Sequence, residues 1–250
     1  MSDILLQCAG VCKFFGGLTA LDHVDFEVSR GEVVALLGDN GAGKSTLIKC
    51  ISGVYKPDRG HITFNQTEIT NHSPSEIRDR GIETIYQDLA LAENLDVGAN
   101  VFLGKERTRK FMGIFSVTDD ETMRKEATKV LDRLDIHIPS LKQKLVNLSG
   151  GQRQAVAIAR ALYWNAQLVI MDEPTAALGV PEQRKVLTLV RTLRDQGVPV
   201  ILISHTMQDV MEVADRIVVM RRGRVVANVM RAESTVDSIV KHIVGASEMA

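Results

Sequence analysis

The sequence predicts an α/β protein whose core is a mostly parallel β-sheet. Helical patterns separate its apolar runs along the chain, and this alternation favours parallel strands joined by crossover helices. The runs are rich in Val, Ile and Leu without polar alternation, as expected of strands that are covered on both faces. They are Val33–Leu37, Leu168–Met171, Val200–Ile203 and Ile217–Met220.

Alternating polar and apolar residues predict an antiparallel β subdomain beside this core. Asp22–Val28 and His61–Phe64 show the alternation, which suits strands with one face in water. A turn at Pro57–Gly60 precedes the second of them. Near the end of the chain, Gly223 joins the last apolar run to Val225–Val229, and we expect a hairpin there.

The middle third, from about Gln87 to Trp164, has few strand patterns and predicts a mostly helical insertion. Thr118 and Glu121 have the spacing of a capping box at a helix start. Apolar residues then recur at helical intervals, namely Met123, Ala127, Val130, Leu131 and Leu134. The predicted organisation is a single domain over residues 1–250, with a core of 1–86 and 165–250 and a helical subdomain over 87–164.

Composition excludes several classes of protein. The 250 residues carry 30 Lys and Arg against 31 Asp and Glu, for a formal net charge of −1. This balance argues against a dedicated nucleic-acid binder, which needs a clustered basic surface, but backbone amides can still bind a small phosphate ligand. No apolar run approaches the ~18 residues of a membrane span, and no secretory signal is predicted.

The three cysteines, Cys8, Cys12 and Cys50, cannot all pair with one another. Cys8 and Cys12 lack a second Cys pair or a close His pair that would complete a metal site. We therefore expect buried free thiols in a reducing cytoplasm.

A glycine-rich segment between a predicted strand and a predicted helix fits the P-loop pattern G-x-x-x-x-G-K-[ST]. In such loops, successive backbone N–H groups and the helix N-terminus point at phosphates. Lys44 would reach the β- and γ-phosphates, and the Ser45 hydroxyl would ligate Mg²⁺. The alternative is a purely structural turn. The candidate ligand-binding residues are Gly38, Asp39, Asn40, Gly41, Ala42, Gly43, Lys44, Ser45 and Thr46.

Two carboxylates, Asp172 and Glu173, end the apolar strand that starts at Leu168. In P-loop nucleotide hydrolases an Asp so placed holds the Mg²⁺ shell, which assigns Asp172. Glu173 is then the candidate for polarising the attacking water. Strand alternation would send the two side chains to opposite faces, but Pro174 ends the strand, so the sequence leaves their directions open. The alternative is an acidic strand end in solvent.

A third segment, Leu148–Gln154, reads Leu-Ser-Gly-Gly-Gln-Arg-Gln and opens a helical run. Ser149 is a suitable N-cap, and Gln152 completes a Ser-x-x-Gln capping box. Together with the P-loop and Asp172-Glu173, this segment resembles the signature of the ATP-binding cassette ATPases. The resemblance covers essentially the whole chain, and it implies a P-loop fold of that family.

The resemblance also implies how the residues work. Two subunits would pack head to tail with ATP between the P-loop of one and the signature of the other, so that Ser149 and Gly151 act in trans. Phe15 would stack on adenine, unless it is a core aromatic. Gln87 would contact Mg²⁺ and the water, and His205 would contact the γ-phosphate. Without the resemblance, Gln87 is an ordinary loop amide and His205 a capping or packing residue.

One position departs from the family pattern. Many members carry Asp where this chain has Gly179, and that Asp links the two ATP sites across the dimer. The departure puts the usual communication between sites in doubt, although not ATP binding. We expect hydrolysis to survive.

The stretch Leu91–Lys105 and the run Ala176–Val180 resemble the ATPases of bacterial sugar importers of the ribose, xylose and fructose kind. The resemblance implies a membrane permease, a periplasmic binding protein that confers specificity, and a peripheral location at the cytoplasmic face of the bacterial inner membrane. The alternatives are a branched-chain amino acid importer and a non-transport cassette ATPase acting on ribosomes or DNA. No nucleic-acid partner is expected, because the long coiled-coil or basic insertions typical of the last class are not visible.

Two basic clusters, Lys105–Lys110 and Arg221–Arg224, remain outside this assignment. Their simplest interpretation is a solvated loop and a charged hairpin turn. The alternative is a functional role, in which these clusters contact membrane headgroups or a permease loop.

Overall fold

A computed structural model describes residues 4–111, 115–134, 136–176 and 178–245. The strands are β1 Ile4–Phe15, β2 Leu18–Ser29, β3 Val33–Leu37, β4 Arg59–Phe64, β5 Thr67–Glu68, β6 Ile82–Ile85, β7 Thr108–Phe111, β8 Phe115–Thr118, β9 Leu168–Asp172, β10 Val200–Ile203, β11 Arg216–Arg221 and β12 Arg224–Met230. The α-helices are α1 Lys44–Ile51, α2 Pro74–Asp79, α3 Val97–Phe102, α4 Asp120–Arg133, α5 Gly150–Tyr163, α6 Val180–Asp195, α7 Met207–Val213 and α8 Val236–Val244. Short 3₁₀ helices lie at Leu145–Asn147 and Arg231–Glu233.

A six-stranded sheet forms the centre of the fold, in the order β12-β11-β3-β10-β9-β6. β10 runs parallel to both β3 and β9, and β11 runs parallel to β3, while β12 joins antiparallel. The carboxyl ends of β3, β9 and β10 therefore share one edge of the sheet. In open parallel sheets that edge is where ligands bind.

Both faces of the central strands are buried, because the side chains of β3 alternate between two apolar clusters. Val34 and Leu36 belong to one cluster, which includes residues of the antiparallel sheet and α1. Ala35 and Leu37 belong to the other, which includes residues of α7 and α8. The unbroken apolar runs of the sequence follow from this two-sided burial, and the prediction of a mostly parallel core is confirmed.

The antiparallel β subdomain is a four-stranded sheet in the order β2-β1-β4-β5. Its strands alternate buried and exposed residues, as in β4, where Ile62 and Phe64 are buried. This sheet and the six-stranded sheet contribute to the same apolar cluster. The prediction of antiparallel strands with one wet face is confirmed.

The chain divides into two compact units. One consists of Met1–Thr84, Gln167–Glu173 and Val190–Ala250, and the other of Ile85–Ala166 and Pro174–Leu189. In the second unit, α3, α4 and α5 pack on one another, and the rings of Phe102 and Tyr163 lie 4.1 Å apart between centroids.

The second unit contains two details that the sequence analysis did not anticipate. Asp119, not Thr118, caps α4, and its side chain accepts a hydrogen bond from the Thr122 backbone N–H at 3.2 Å. Adjacent cap-forming residues compete for one site, and the expected capping box is wrong by one residue. The second detail is the β7–β8 hairpin, which forms a separate two-stranded sheet.

All three cysteines are buried and free, as the sequence predicted. Burial raises the pKa of the Cys50 thiol to about 11, and burial raises the pKa of Cys8 further. Among the described residues, none of the helices combines the length and the apolar character needed to cross a bilayer.

We predict that the native thiols resist modification. Because the thiolate is the reactive form, the raised pKa of Cys8 and Cys50 slows their attack on a disulfide reagent, and burial hinders all three sulfur atoms. A thiol titration with an aromatic disulfide at pH 8 should give no rapid reaction in the folded protein, and reaction of all three thiols in denaturant. Rapid reaction of one thiol in the folded protein would contradict the burial.

Candidate functional site

The P-loop runs from β3 to α1 and turns through left-handed backbone at its glycines. Gly38 has a φ of 145° and Gly43 a φ of 105°. A Cβ added to Gly38 would lie 2.2 Å from the Met220 carbonyl oxygen, and one added to Gly43 would lie 2.8 Å from that of Ala20. Only glycine fits at these two positions, because both the conformation and the space exclude a side chain.

The loop ends at an uncapped helix. Gly43 occupies the N-cap position of α1, and within the described part of the chain no side chain caps this helix start. Uncapped N–H groups and the positive end of the helix dipole favour an anion there. Most of the remaining residues of the segment are open to solvent. Ala42 is buried and Thr46 is partly buried, while the exposed residues are Asp39, Asn40, Gly41 and Ser45.

A hairpin turn supports the P-loop from the side, and nothing in the sequence indicated this. The Gly223 N–H donates a hydrogen bond to the Ala42 carbonyl oxygen at 2.9 Å. The Asp22 N–H in turn donates to the Gly223 carbonyl oxygen at 2.8 Å. Backbone bonds of this kind tie the turn between β11 and β12 to the P-loop and to β2.

Lys44, the first residue of α1, folds back over the loop. Its Nζ atom donates hydrogen bonds to the carbonyl oxygens of Gly38 at 2.5 Å and Asp39 at 3.0 Å. Burial lowers the pKa of Lys44, while the nearby charges of Glu173, Asp39 and Asp172 raise it and partly offset that effect. The ammonium group therefore lies within electrostatic range of both carboxylates predicted to form the site.

The two carboxylates leave β9 with different backbone conformations. Asp172 is the last strand residue and pairs in register with Ile203 of β10. Glu173 has a φ of 52°, a left-handed value that is uncommon for a residue with a side chain. Its backbone N–H still donates to the Ile203 carbonyl oxygen at 2.9 Å. This change of conformation interrupts strand alternation, and both carboxylates interact electrostatically with Lys44.

His205 lies against Glu173. The His205 backbone N–H donates to Glu173 Oε2 at 3.3 Å, and His205 Nε2 lies 3.2 Å from Glu173 Oε1. His205 Nε2 and Glu173 Oε1 are close enough for an ion pair, but they do not form a hydrogen bond. Glu173 Oε1 is therefore a buried acceptor with no hydrogen-bond partner among the described residues. His205 is 58% exposed at its side chain, and Thr206 occupies the N-cap of α7. Packing and capping therefore do not account for His205.

Burial perturbs both acids. It raises the pKa of Asp172, against the lowering effects of Lys44, His205 and Lys49. Burial also raises the pKa of Glu173, and the charge of Asp172 adds to the rise, while His205 lowers it. A carboxylate with a raised pKa is a stronger base than an ordinary one, and perturbed groups of this kind cluster at functional sites.

The donor set suits a magnesium ion. Mg²⁺ takes oxygen ligands, commonly one or two carboxylates together with substrate phosphates. Ser45 offers an exposed hydroxyl in the first turn of α1, and Asp172 offers a partly buried carboxylate.

Phe15 ends β1 and is 41% exposed. Its ring meets Tyr55 edge-on at 5.2 Å between centroids, and Lys13 Nζ lies 5.5 Å from the ring centroid. The alternative that Phe15 is a core aromatic is therefore excluded. The ring is thus partly open to solvent, and its aromatic character suits contact with a planar ligand.

The signature segment begins α5 in the second unit. Ser149 is the N-cap, its hydroxyl accepts from the Gln152 N–H at 3.3 Å, and its own N–H donates to Gln152 Oε1 at 3.0 Å. The predicted capping box is thus confirmed. Because the Ser149 oxygen accepts from its own helix, its hydroxyl proton stays available to an anion.

Gln87 is exposed in the turn after β6, also in the second unit. Arg160 of α5 donates hydrogen bonds to the carbonyl oxygens of Leu89 at 3.1 Å and Ala90 at 2.8 Å. Both of these residues have positive φ values, 51° and 45°. Arg160 therefore holds the segment that follows Gln87, a role that the sequence did not indicate.

The position that departs from the family pattern lies beside another carboxylate. Gly179 is exposed, and a Cβ added there would lie 2.9 Å from Glu182 Oε2. Glu182 Cβ and Cγ would also lie 3.0 Å from a Cβ on Gly151. An Asp at position 179 would therefore bring a second negative charge against Glu182, which must then move.

The structure thus brings Lys44, Asp172, Glu173 and His205 into one group at the carboxyl edge of the central sheet, next to the P-loop. Gln87, Ser149 and Gly151 belong to the second unit. The fold and this group define the chain as a P-loop nucleotide hydrolase. A family model described as ABC transporter matches residues 21–176, more than half of the chain. The chain belongs to the ABC transporter family, as its ATP-hydrolysing cassette.

Curated relatives cover nearly the whole chain. The xylose/arabinose import ATP-binding protein XylG of Sulfolobus acidocaldarius is 51% identical over 96% of this chain and 94% of its own. The fructose import ATP-binding protein FrcA of Rhizobium meliloti is 46% identical over 98% and 95%. The ribose import ATP-binding protein RbsA 1 of Rubrobacter xylanophilus is 43% identical, and the match spans 47% of that longer protein.

Solved structures agree with the fold. A nucleotide-free ATP-binding cassette from an ABC transporter superposes with a TM-score of 0.80 at 28% identity, over 97% of this chain and 95% of that one. An ADP-bound cassette gives the same TM-score and identity, over 97% and 99%. A dimeric cassette bound to ADP and phosphate gives 0.74 at 27% identity, over 91% and 99%.

Proposed function

We propose that this chain is the ATPase subunit that energises an importer of a monosaccharide. The proposal rests on the sequence identity to two single-cassette proteins, which are named for xylose/arabinose import and for fructose import. The identity is 51% to the first and 46% to the second, and each alignment covers nearly the full length of both sequences. The residues of the site described above do not identify the sugar. Specificity would reside in a periplasmic binding protein and a permease.

Nucleotide binding follows from the P-loop. The free N–H groups of α1 and the Lys44 ammonium would hold the phosphates, and Lys44 would exchange its bonds to Gly38 and Asp39 for the β- and γ-phosphate oxygens. Phe15 would stack on the adenine ring. Ser45 and Asp172 would hold Mg²⁺, with Gln87 as a further contact, and the ion would neutralise charge on the phosphates.

Hydrolysis would depend on Glu173. Its unpartnered Oε1 atom would accept a proton from the attacking water, and its raised pKa suits that role. His205 would donate a hydrogen bond to a γ-phosphate oxygen from its exposed ring, while its backbone N–H keeps Glu173 Oε2 in place. Catalysis would thus consist of positioning and charge stabilisation, with no covalent intermediate on the protein.

A second copy of the chain would complete the site. Ser149 and Gly151 would present the N-terminus of α5 to the γ-phosphate bound by the other copy. The dimeric cassette of similar fold supports a dimer of this kind. The pair would work on a membrane permease from the cytoplasmic face of the bacterial inner membrane, as a peripheral subunit.

We predict that charge at position 149 controls hydrolysis in the assembled dimer. Asn and Asp both cap helices about as well as Ser, so Ser149→Asn and Ser149→Asp should fold equally well and bind ATP equally well in one subunit. The Asp variant places a negative charge where the phosphate is expected and should lose about 10²-fold or more in turnover, by analogy with the removal of an oxyanion donor. Equal turnover in the two variants would remove Ser149 from the composite site.

The proposed function is tested by reconstitution. The cassette and its permease are placed in vesicles, and ATP hydrolysis is measured with periplasmic binding proteins loaded with ribose, xylose or fructose, and with the same proteins unloaded. We expect stimulation by one sugar-loaded protein. Stimulation by a protein loaded with a branched-chain amino acid instead, or hydrolysis that depends on ribosomes or DNA, would refute sugar import and leave the ATPase assignment intact.

A further inference from the structure

The β7–β8 hairpin contains none of the residues assigned to the ATP site, and its described side chains are exposed. Thr108, Arg109 and Lys110 are exposed on β7, and every residue of β8 is exposed. Phe115 is 63% exposed and Val117 36% exposed. These two side chains do not form part of a core.

The base of the hairpin is fixed to the second unit. Arg107 Nε donates a hydrogen bond to the Tyr163 hydroxyl at 3.1 Å, and its guanidinium lies 3.4 Å from a Glu126 carboxylate oxygen. The Asp119 N–H donates to the Arg107 carbonyl oxygen at 2.8 Å. These contacts anchor the base of the hairpin to α4 and α5.

The outer part combines free positive charge with apolar residues. Between Arg107 and Thr118 the sequence has no acidic residue, and residues 111–115 read Phe-Met-Gly-Ile-Phe. Arg109 pairs across the strands with Val117, and Lys110 with Ser116. Among the described residues, the two cations of β7 therefore lie across from a strand that carries the exposed apolar side chains of Phe115 and Val117.

The acidic residues that follow the hairpin are already engaged. Asp119 caps α4 through Thr122, and Glu121 pairs with Lys125 at 2.8 Å. Arg109 lowers the pKa of both acids, but only by long-range attraction that comes after their hydrogen bonds in strength. The charges of Arg109 and Lys110 thus remain available to an external anion.

We propose that the β7–β8 hairpin binds the surface of an anionic lipid bilayer. Basic residues are attracted to anionic headgroups, and aromatic and aliphatic residues bury themselves at the boundary between headgroups and acyl chains. The chain as a whole carries a net charge of −1, so its overall field does not draw it to an anionic surface. An RNA would use the two cations but would leave Phe115 and Val117 in water, and for that reason the bilayer is the better fit.

The size of the effect follows from the two cations. Each basic residue near an anionic surface strengthens binding by about fivefold. Arg109→Gln with Lys110→Gln should therefore weaken vesicle binding by at least ~10-fold. Phe115→Ser should also weaken it, in a way that persists at high salt, because apolar burial is not screened.

The test is co-sedimentation of the full chain, without nucleotide, with vesicles of phosphatidylcholine containing phosphatidylglycerol and with vesicles of phosphatidylcholine alone. Lys129 and Lys185 are exposed basic residues on α4 and α6, and Lys129→Gln with Lys185→Gln is a matched control for the loss of two charges. We expect binding to anionic vesicles only, weakened by the hairpin double variant and unchanged by the control. Glycerol phosphate in solution should not compete, because the bilayer is the ligand.

Three results would overturn the proposal: no binding of the unaltered chain to anionic vesicles, equal loss in the hairpin and control variants, or pelleting with an RNA homopolymer in preference to vesicles. Because every substituted residue is exposed, ATP binding and melting temperature should be unchanged in all the variants. The same samples therefore report the ATPase assignment separately, and failure of one proposal leaves the other standing.

Discussion

Glu173→Gln is expected to stop ATP turnover while nucleotide binding continues. The amide cannot accept the proton that the Glu173 carboxylate would take from water, and loss of a general base typically costs about 10²- to 10⁴-fold in rate. The backbone contact to His205 lies at Oε2, which a Gln side chain can still provide through its own oxygen. The variant should therefore keep the site intact and accumulate as an ATP-bound dimer.

The measurement is steady-state phosphate release together with size-exclusion chromatography in ATP and Mg²⁺. Glu233→Gln, an exposed change of the same chemistry, is the matched control and should behave like the unaltered chain. Normal turnover in Glu173→Gln would remove Glu173 from its proposed role, whatever the state of the dimer.

The pH dependence of turnover should carry the same signature. Burial and the Asp172 charge raise the pKa of Glu173, so its carboxylate becomes protonated at a higher pH than an ordinary glutamate. A protonated carboxyl cannot act as the base, and activity should fall on the acidic side as pH drops through that raised pKa. The apparent pKa on the acidic side of the kcat profile should therefore lie above the usual pKa of a glutamate.

Lys44→Ala is expected to weaken ATP binding itself. Lys44 is only 7% exposed, and its ammonium group would make charge-assisted hydrogen bonds to two phosphates. Hydrogen bonds to charged groups contribute about 1.5–3 kcal/mol, so affinity should fall by about 10- to 100-fold. Removal of the cation also takes away an influence that lowers the pKa of Asp172, which makes that carboxylate a poorer ligand for Mg²⁺.

Equilibrium binding of a fluorescent ATP analogue gives the affinity directly. Lys129→Ala is a control for the loss of one lysine, because Lys129 is exposed on α4. An unchanged affinity in Lys44→Ala, with Lys129→Ala also unchanged, would count against the assignment of the phosphate site.

Strands buried on both faces were predictable from the sequence, and the exposed β7–β8 hairpin was not. Val33–Leu37 and Val200–Ile203 coincide with β3 and β10, because burial on both faces leaves an unbroken apolar run that the sequence displays. The β7–β8 hairpin left no such pattern, since its described side chains face water and its strands contain charged residues. Thr118 and Asp119 are both good caps, and only the backbone geometry at the start of α4 decided between them.

The sequence by itself determined the chemistry of this protein. A P-loop, two carboxylates after an apolar strand and the Leu-Ser-Gly-Gly-Gln signature specify residue types at fixed spacing, and such local spacing is readable without coordinates. The directions of the site side chains were decided only by the tertiary structure. Strand alternation would have separated Asp172 from Glu173, and the left-handed φ of 52° at Glu173, held by its bonds to Ile203 and His205, brings both acids within range of Lys44. A backbone conformation of that kind is stabilised by neighbours distant in sequence, so no local pattern records it.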